Sequence, residues 1–443
     1  MNAAARPSPD QHQLLRRLSD SRALTDELFR RVVPGALYDR PIAERHRIIF
    51  YIGHLEAFDR NLIAGQALGL DPAHPEFDRL FAFGIDPLGG GLPSDQPADW
   101  PGLDEVKDYN ERVRGELDRI LADGGAASWQ YPRETVLHVA IEHRLMHAET
   151  LAYMLHQLPL ERKSAPPDYR LPAPSPAGAR VPAKMLDIPA GSTTLGIPPH
   201  HGVFGWDNEF DVHSVHVPAF SIDLRKVTNG EFLRFIEDGG YDEPRFWDNA
   251  GWAWIKGQNI HHPRFWSRRQ DRWFYRAMFE ELPLPLDWPV YVSHAEAAAY
   301  ARYAGKSLPT EAQFQRAAYG TPEGEERAYP WGDTPPAAGL GNFDFQHWDP
   351  VAAGSYAQSR SAFGVEDLLG NGWEWTSSVF APFPGFEPFP FYRGYSANFF
   401  DGQHYVMKGA SPRTAACMLR RSFRNWFQPH YPFVYASFRC VSN

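Results

Sequence analysis

A proline-rich stretch in the middle of the chain separates two parts of different character. Residues 159–182 contain seven prolines, which cannot continue a helix or a central strand and are typical of a semi-rigid surface linker. The chain has 443 residues, more than a single hydrophobic core usually serves. We therefore predict two domains, residues 1–160 and 185–443, joined by a linker at 161–184.

Before the linker, apolar residues recur at helical spacing. A first helix is expected at 14–32, and a second opens at Asp39-Arg40-Pro41 and carries apolar residues up to Phe58. Two more are expected at 103–122 and 134–157, after a Gly/Pro-rich loop at 86–97. Four such helices predict an up-and-down bundle, whose interior is a common place for metal sites.

Beyond the linker the chain is rich in Gly, Pro, Trp and Phe, with short β-like runs. Helical patterns are clear only at 229–238 and 294–303, and a third helix is expected after Thr310. This composition suits a loop-rich domain with aromatic-lined clefts. The predicted fold class is therefore α+β, a helical bundle followed by an irregular β-rich domain.

The sharpest local motif is His143-Arg-Leu-Met-His147. Residues four apart on a helix lie on one face, about 6 Å apart along the axis, so both imidazoles could reach one metal ion. Two ligands leave a metal underspecified, and His54 is the candidate for the third. It lies in the apolar run 48–55, where a polar side chain needs a partner if it is buried.

Other interpretations of these histidines stay open. A pair of histidines at this spacing is more often structural, and a lone buried histidine is more often a core residue. His138 and His156 share the helix and could compete as ligands, while Glu142 or Glu149 would complete a site of two histidines and one carboxylate. Imidazole suits iron, zinc, copper or nickel, so the ligand type does not select the metal. The pair lacks the internal glutamate of H-E-x-x-H metalloproteases.

A series of glycine- and aromatic-rich motifs follows in the second half. In order these are 188-IPAGS-192, 227-VTNGEF-232, 307-SLPTEA-312, 329-YPWGD-333, 367-DLLGNGWEW-375, 408-KGAS-411 and 437-SFRC-440. The set resembles the formylglycine-generating-enzyme fold, a variant of the C-type-lectin fold. Together with the helical half and its histidines, nearly the whole chain resembles the ergothioneine-pathway sulfoxide synthase family, which sets this fold behind a DinB-like four-helix bundle.

The resemblance implies an oxidoreductase with a non-haem iron(II) centre. By position its ligands are His54, His143 and His147. Members of the family use O2 to join a thiol sulfur, from cysteine or γ-glutamylcysteine, to the imidazole C2 of hercynine (trimethylhistidine), giving a sulfoxide. Zinc could bind a thiolate but is not redox-active.

The resemblance also implies substrate-binding residues. The segment 391-FYRGYS-396 looks like the one that supplies the catalytic proton donor, here Tyr392, and a hercynine contact, here Tyr395. The segment 422-SFRNW-426 looks like the one whose Asn425 and Trp426 hold the carboxylate and the cationic head of hercynine. Met146 stands where the best-known members that use γ-glutamylcysteine often have glutamine, and it is a further candidate for substrate binding. Plain aromatic packing is the alternative for both tyrosines.

The identity of the second substrate is open. After Trp426, the stretch 427-FQPHYPF-433 lacks the charged residues with which the best-known members hold a glutamyl group. Cysteine, a thiosugar or a selenosugar are therefore alternative donors, and the last would make the chain similar to selenoneine synthase. An alternative from another class is a metal-dependent thiol-binding or transferase protein without oxidative chemistry.

Several other functions are disfavoured. Only Cys417 and Cys440 occur, which speaks against a disulfide framework and against formylglycine-generating activity, since that needs a reactive cysteine pair. A net charge of −10 without a lysine-rich run argues against nucleic acid. The chain shows no signal-peptide run at its start and no apolar stretch of about 18 residues, so we expect a cytoplasmic protein that does not enter membranes. Calcium, as in relatives, is expected near Asn342 or Asn371.

Overall fold

The chain divides into two compact units, Met1–Tyr169 and Arg170–Asn443. Parts of the predicted loop at 86–97 and of the predicted linker at 161–184 lie outside the described residues. The computed structural model describes residues 9–82, 92–122, 128–172, 184–199 and 203–442.

The first unit is helical, and three of its predicted helices are confirmed. They are the first, third and fourth, and a short helix that the sequence did not predict precedes the third. The helices are α1 (Pro9–Arg30), α2 (Ile48–Arg60), α3 (Pro75–Leu80), α4 (Leu103–Ala122) and α5 (Arg133–Gln157).

The predicted start of the second helix at Asp39-Arg40-Pro41 is wrong, because α2 begins at Ile48. Arg40 and Arg47 both bind the carboxylate of Asp95, and Arg47 also donates to the carbonyl oxygen of Tyr38 at 2.7 Å. These ion pairs with a residue far along the chain hold 39–47 in turns and override its helical pattern. At its other end α2 continues as a π-helix, Asn61–Ala67.

The two helices that carry the predicted metal ligands are also deeply buried. Every residue of α2 except Phe58 is buried, and α5 is buried over most of its length. A helix that is apolar on all sides belongs in the middle of a bundle. α2 packs against α4 and α5, and α1 packs against α5, so the histidines of α2 and α5 face the interior.

The second unit combines short strands with helices. Its helices α6 (Asn229–Glu237), α8 (His294–Tyr303) and α9 (Glu311–Tyr319) confirm the three that the sequence predicted. The expectation of no further clear helix is wrong, since α7 (Asn249–Gly257) follows Asp248, whose carboxylate caps it by accepting from the Gly251 amide at 2.6 Å.

Strands of this unit form small sheets in the order β1-β4-β12, β10-β9-β8-β11, β2-β3 and β5-β6-β7. The four-stranded sheet carries the segment with Asn425 and Trp426, because β10 pairs with β9. The strands are β1 (Met185–Ile188), β2 (Gly191–Leu195), β3 (His213–Val217), β4 (Phe220–Asp223), β5 (Trp266–Arg269), β6 (Arg272–Arg276), β7 (Glu281–Pro283), β8 (Gly372–Val379), β9 (Tyr405–Ala410), β10 (Asn425–Phe427), β11 (Ala436–Ser437) and β12 (Val441–Ser442).

Within the described residues, no helix combines the length and the apolar character that crossing a bilayer requires.

Candidate metal centre

Three buried histidines converge inside the helical unit. His143 and His147 lie one turn apart on α5, and His54 reaches them from α2. One ligand atom from each lies within 4.8 Å of the other two, and the Nε2 atoms of His54 and His147 are 3.3 Å apart. Among the residues that the structure describes, no other His, Cys, Asp or Glu side chains form such a group of three or more.

The competing ligands that the sequence left open stand outside this group. His138, His156, Glu142 and Glu149 all lie on α5. The group of converging ligand atoms contains none of them. The structure therefore has the predicted arrangement: two histidines at i and i+4 on one helix face, and a third from a facing helix.

One backbone contact fixes the orientation of His54. Its Nδ1 lies 2.7 Å from the carbonyl oxygen of Phe81, so Nδ1 carries the proton and donates it to that oxygen. In a neutral imidazole the other nitrogen, Nε2, then presents a lone pair. Outer hydrogen bonds of this kind select the tautomer and the ring orientation of metal-binding histidines.

Aromatic rings pack around the imidazoles. Phe58 stacks on His143 with ring centres 3.4 Å apart, and Phe50 stacks on His54 at 4.8 Å. Tyr51 approaches His147 at 5.8 Å. These rings restrict the rotamers of the imidazoles and exclude water from one side of the group.

Burial keeps the imidazoles neutral. It lowers the pKa of His54 to about 4, although the hydrogen bond to Phe81 opposes the shift. Burial, together with the neighbouring histidines and Arg144, lowers the pKa of His143 and of His147 well below the usual value. At neutral pH all three rings are therefore in the form that binds a metal ion.

A buried ion cluster lies next to the histidines and joins their helices. The guanidinium of Arg144, on α5, contacts Glu56 Oε1 at 3.0 Å and Asp59 Oδ2 at 2.6 Å, both on α2. Arg114, on α4, adds a contact of 2.7 Å to Glu56. Although burial opposes it, Arg144 and Arg114 lower the pKa of Glu56 to about 2. These contacts set the spacing between α2 and α5.

The donor set fits a transition metal. Three neutral imidazoles supply nitrogen ligands without net charge, and Nε2 of His54 is directed at Nε2 of His147. Imidazole is a ligand for iron, zinc, copper and nickel, whereas calcium and magnesium prefer oxygen. Three protein ligands also leave coordination positions for water or substrate, as in catalytic rather than structural sites.

The predicted substrate residues fall in both units. Met146 lies on α5 between the two ligand histidines, in the first unit. In the second unit the ring centres of Tyr395 and Trp426 are 5.5 Å apart, edge to face, and those of Tyr392 and Tyr395 are 5.6 Å apart. Asn425 precedes Trp426 on β10 and accepts from its backbone N–H at 2.9 Å.

The aromatic group extends to residues that sequence analysis did not identify. Trp206 is fully buried and stacks on Tyr395 with ring centres 3.9 Å apart. Phe380 stacks on Trp426 at 4.1 Å. The adjacent Asp207 is also buried, and burial raises the pKa of its carboxyl to about 6, against hydrogen bonds from Ser396 and backbone groups. Burial, with the charge of Asp207, raises the pKa of the Tyr392 phenol above its usual value.

The remaining predicted residues belong to the second unit. Cys417 is exposed, Cys440 is buried, and neither forms a disulfide bond. The Asn342 side chain donates to Asp349 O at 3.1 Å and to Asn371 Oδ1 at 3.2 Å. Asn371 in turn bonds the backbone of Val351 in both directions. A calcium ion near these two residues stays a prediction.

Comparison with known proteins identifies both units. Residues 170–443 match the family model of the sulfatase-modifying factor enzyme 1-like domain, and residues 17–151 match that of the DinB superfamily. The predicted fold class, an α+β chain with a DinB-like bundle before a formylglycine-generating-enzyme-like domain, is confirmed. Among solved structures, PvdO from Pseudomonas aeruginosa is 19% identical, covers 58% of this chain and 93% of its own, and gives a TM-score of 0.39.

The matches to two relatives each cover about two thirds of this chain or more. Hercynine oxygenase of Mycolicibacterium smegmatis is 39% identical over 66% of this chain and 68% of that protein. Ergothioneine biosynthesis protein 1 of Neurospora crassa is 31% identical over 95% of this chain, but the match spans only 56% of the fungal protein.

Proposed function

Because the chain belongs to the hercynine oxygenase family, with a DinB-superfamily part before a sulfatase-modifying factor enzyme 1-like domain, we propose that it uses iron(II) and O2 to bond hercynine to a thiol donor. The product would be a sulfoxide, formed at the imidazole C2 of hercynine, on the way to ergothioneine. The observation that carries the proposal is the convergence of His54, His143 and His147 in a protein of this family.

The three histidines would hold the iron. Bound there, iron(II) would supply the one-electron chemistry that O2 requires and that zinc lacks. The chain's own contribution is to keep the imidazoles neutral by burial and to hold His54 in one tautomer through Phe81. Arg144 fixes the two helices at the spacing that brings the imidazoles together.

Residues of the second unit would bind hercynine and handle a proton. Rings such as Tyr395 and Trp426, 5.5 Å apart, are suited to a trimethylammonium group, which is attracted to the faces of aromatic rings. Asn425 would bind the carboxylate and Met146 would contact substrate. The phenol of Tyr392 is protonated at neutral pH, since its pKa starts from 10.0 and burial raises it further, and a proton donor must be protonated before it acts.

A selenosugar or thiosugar is the second candidate for the donor. The stretch from Phe427 to Phe433 contains no Asp, Glu, Lys or Arg and carries three aromatic rings besides His430, of which Phe427 and Tyr431 stack at 5.2 Å. Such rings suit the apolar face of a sugar better than a glutamyl carboxylate. A guanidinium does lie nearby, since Arg264 is 5.3 Å from the ring centre of Phe433. Donors of both kinds therefore belong in the test.

The test is mass spectrometry of reactions with full-length, iron(II)-loaded protein, O2, hercynine and one donor at a time. The donors are cysteine, γ-glutamylcysteine, thioglucose and selenoglucose. We expect one hercynine–donor adduct, which identifies the donor, and oxygen consumption that requires both substrates. An iron-loaded chain that forms no adduct with any donor, or that joins substrates without consuming oxygen, contradicts the proposal.

A pair of matched variants tests the site in the same assay. His147→Ala should lose bound iron and the adduct, because two imidazoles remain. His138→Gln changes a histidine of the same helix that stands outside the ligand group, and it should keep both. Equal iron content in the two variants would reject the assignment of the ligands.

A further inference from the structure

A short buried turn, residues 206-WDNE-209, lies behind the aromatic group of the second unit. All four of its residues are at most 1% exposed, including two carboxylic acids and an amide. A hydrogen bond joins its two ends, since the backbone N–H of Trp206 donates to Glu209 Oε1 at 2.9 Å. Buried acidic residues are rare unless they have partners, so the partners of this turn show what it holds.

One set of partners lies in the segment with the two tyrosines. The Ser396 hydroxyl donates to Asp207 Oδ1 and accepts from Asn208 Nδ2 at 3.0 Å. One residue earlier, Tyr395 stacks on Trp206. Three side chains of the turn thus fix residues 395–396, and the single hydroxyl of Ser396 joins two of these contacts.

The other set of partners lies in the segment that leads to Asn425 and Trp426. Glu209 binds the guanidinium of Arg420 through both carboxylate oxygens and accepts from the Ser422 hydroxyl at 2.6 Å. Arg424 donates to the Asn208 carbonyl at 3.3 Å. Arg424 is itself held by Glu311 at 3.0 Å, so this segment is fixed from two sides.

The turn therefore touches both segments whose side chains are proposed to bind hercynine, although its own side chains are buried beneath them. We propose that the 206–209 turn positions Tyr395 relative to Trp426, so that the two rings form a preorganised site for the cationic head of the substrate. Asp207, Asn208, Glu209 and Ser396 are positioning residues in this arrangement. The inference rests on the proposed function for the identity of the ligand, but the mechanical link between the segments does not.

The variant Ser396→Ala tests the link with the smallest change. It removes the oxygen through which Asp207 and Asn208 both contact Ser396. Ser359→Ala is the matched control, because Ser359 is also buried and donates one bond of 2.7 Å, to the Tyr356 carbonyl, away from both segments. Both proteins are studied as the full chain, by calorimetric titration with hercynine and by amide hydrogen exchange.

We expect Ser396→Ala, which loses both hydrogen bonds of the hydroxyl, to bind hercynine about tenfold more weakly than the wild type. Ser359→Ala should bind it like the wild type. In a double-mutant cycle, Ser396→Ala should add little to the loss caused by Tyr395→Leu, because it acts through that ring. If Ser396→Ala weakened binding only by lowering the stability of the fold, its effect would add to that of Tyr395→Leu.

The exchange measurement needs no ligand. In Ser396→Ala, exchange should become faster in 391–396 and also in 420–426, whereas Ser359→Ala should leave both segments unchanged. Faster exchange in 391–396 alone, or equal hercynine affinity in the two serine variants, overturns the inference. A wild-type chain that does not bind hercynine rejects the proposed function instead, and the exchange result then decides separately whether the turn links the segments.

Discussion

At the scale of single residues, the contact between His54 and Phe81 determines what the metal centre can be. A backbone carbonyl can only accept, so it holds the proton of His54 on Nδ1 and leaves Nε2 as the donor to a metal. Nε2 of His54 faces the Nε2 of His147, another buried, neutral histidine, at 3.3 Å. At this distance one ring can donate a hydrogen bond to the other, or both can present their lone pairs to one cation.

Asp207 predicts how stability changes with pH. Its pKa is raised from 3.8 to about 6, so the folded state binds the proton more tightly than the unfolded chain. Its contribution to stability is therefore full below pH 3.8 and is lost as the pH rises through about 6. The loss amounts to about 3 kcal/mol at most, at about 1.4 kcal/mol per pKa unit.

Asp207→Asn removes this ionisation but keeps an oxygen that can accept from Ser396. Urea unfolding of wild type and variant between pH 4 and pH 7 measures the difference, in which the other titrating groups cancel. We expect the wild type to lose stability relative to the variant as the pH rises. Parallel curves would mean that Asp207 titrates normally.

At the scale of secondary-structure elements, a glycine brings α2 close to the residue that orients its histidine. Gly53 precedes His54, and a Cβ atom at Gly53 would lie 2.6 Å from the ring of Phe81. The ring belongs to the residue whose carbonyl holds His54. This distance leaves no room for a methyl group, so glycine at position 53 lets α2 pack against Phe81. Phe81 in turn orients the imidazole of His54, so the packing of the helix affects the geometry of a metal ligand.

Gly53→Ala should therefore displace Phe81 and weaken metal binding by about 10- to 100-fold, the usual effect of losing an outer partner of a metal-binding histidine. It should also destabilise the fold by about 1–3 kcal/mol through overpacking. The matched control is Gly115→Ala in α4, where no atom lies within 4 Å of the new methyl group. That control should raise stability by up to about 1 kcal/mol, the helix preference of Ala over Gly. Metal titration and urea unfolding measure both effects, and equal metal affinity in the two variants would contradict the coupling.

The elements that sequence analysis predicted correctly are those specified by local pattern. In α4 the apolar period gives the helix and its ends, and in α5 a run of 25 residues without Gly or Pro gives them to within one residue. The start of α2 depends on Asp95, which binds Arg40 and Arg47 from 48 or more positions away. No local pattern contains that information, because the residues between Asp39 and Arg47 have no strong helix breaker after Pro41.

At the scale of the whole molecule, the candidate sites show the same difference. Residues that are specified by a local pattern were predicted, and residues that are specified by distant partners were not. His143 and His147 follow from spacing on one helix, the apolar run around His54 made it the candidate for the third ligand, and the family resemblance implied the same three residues. The turn at 206–209 could not be found in this way, since its partners lie 188 to 216 positions further along the chain. The role of Arg144 could not be predicted either. Nothing in the motif His-Arg-Leu-Met-His distinguishes a solvent-exposed arginine from one that is buried against Glu56 and Asp59.

Metal binding should stabilise the chain in a way that can be localised. A ligand that binds only the folded state adds about 2.7 kcal/mol at a free concentration one hundred times its dissociation constant. We expect anaerobic iron(II) to slow amide exchange in α2 and α5, by up to about 100-fold where exchange requires opening of the site. His54→Ala should abolish the effect. Slowing of the same size in that variant would mean that iron binds elsewhere.

The cluster around Arg144 also bears on attempts to build such a centre elsewhere. Grafting only the three histidines into another helical scaffold would copy the donors without the charges that keep their helices together. A buried arginine moved without its acids would cost several kcal/mol, and acids moved without the arginine would cost as much. The smallest transplantable unit is therefore a set of residues from both helices, extended by the small residue that admits Phe81: His54, His143, His147, Arg144, Glu56, Asp59 and Gly53.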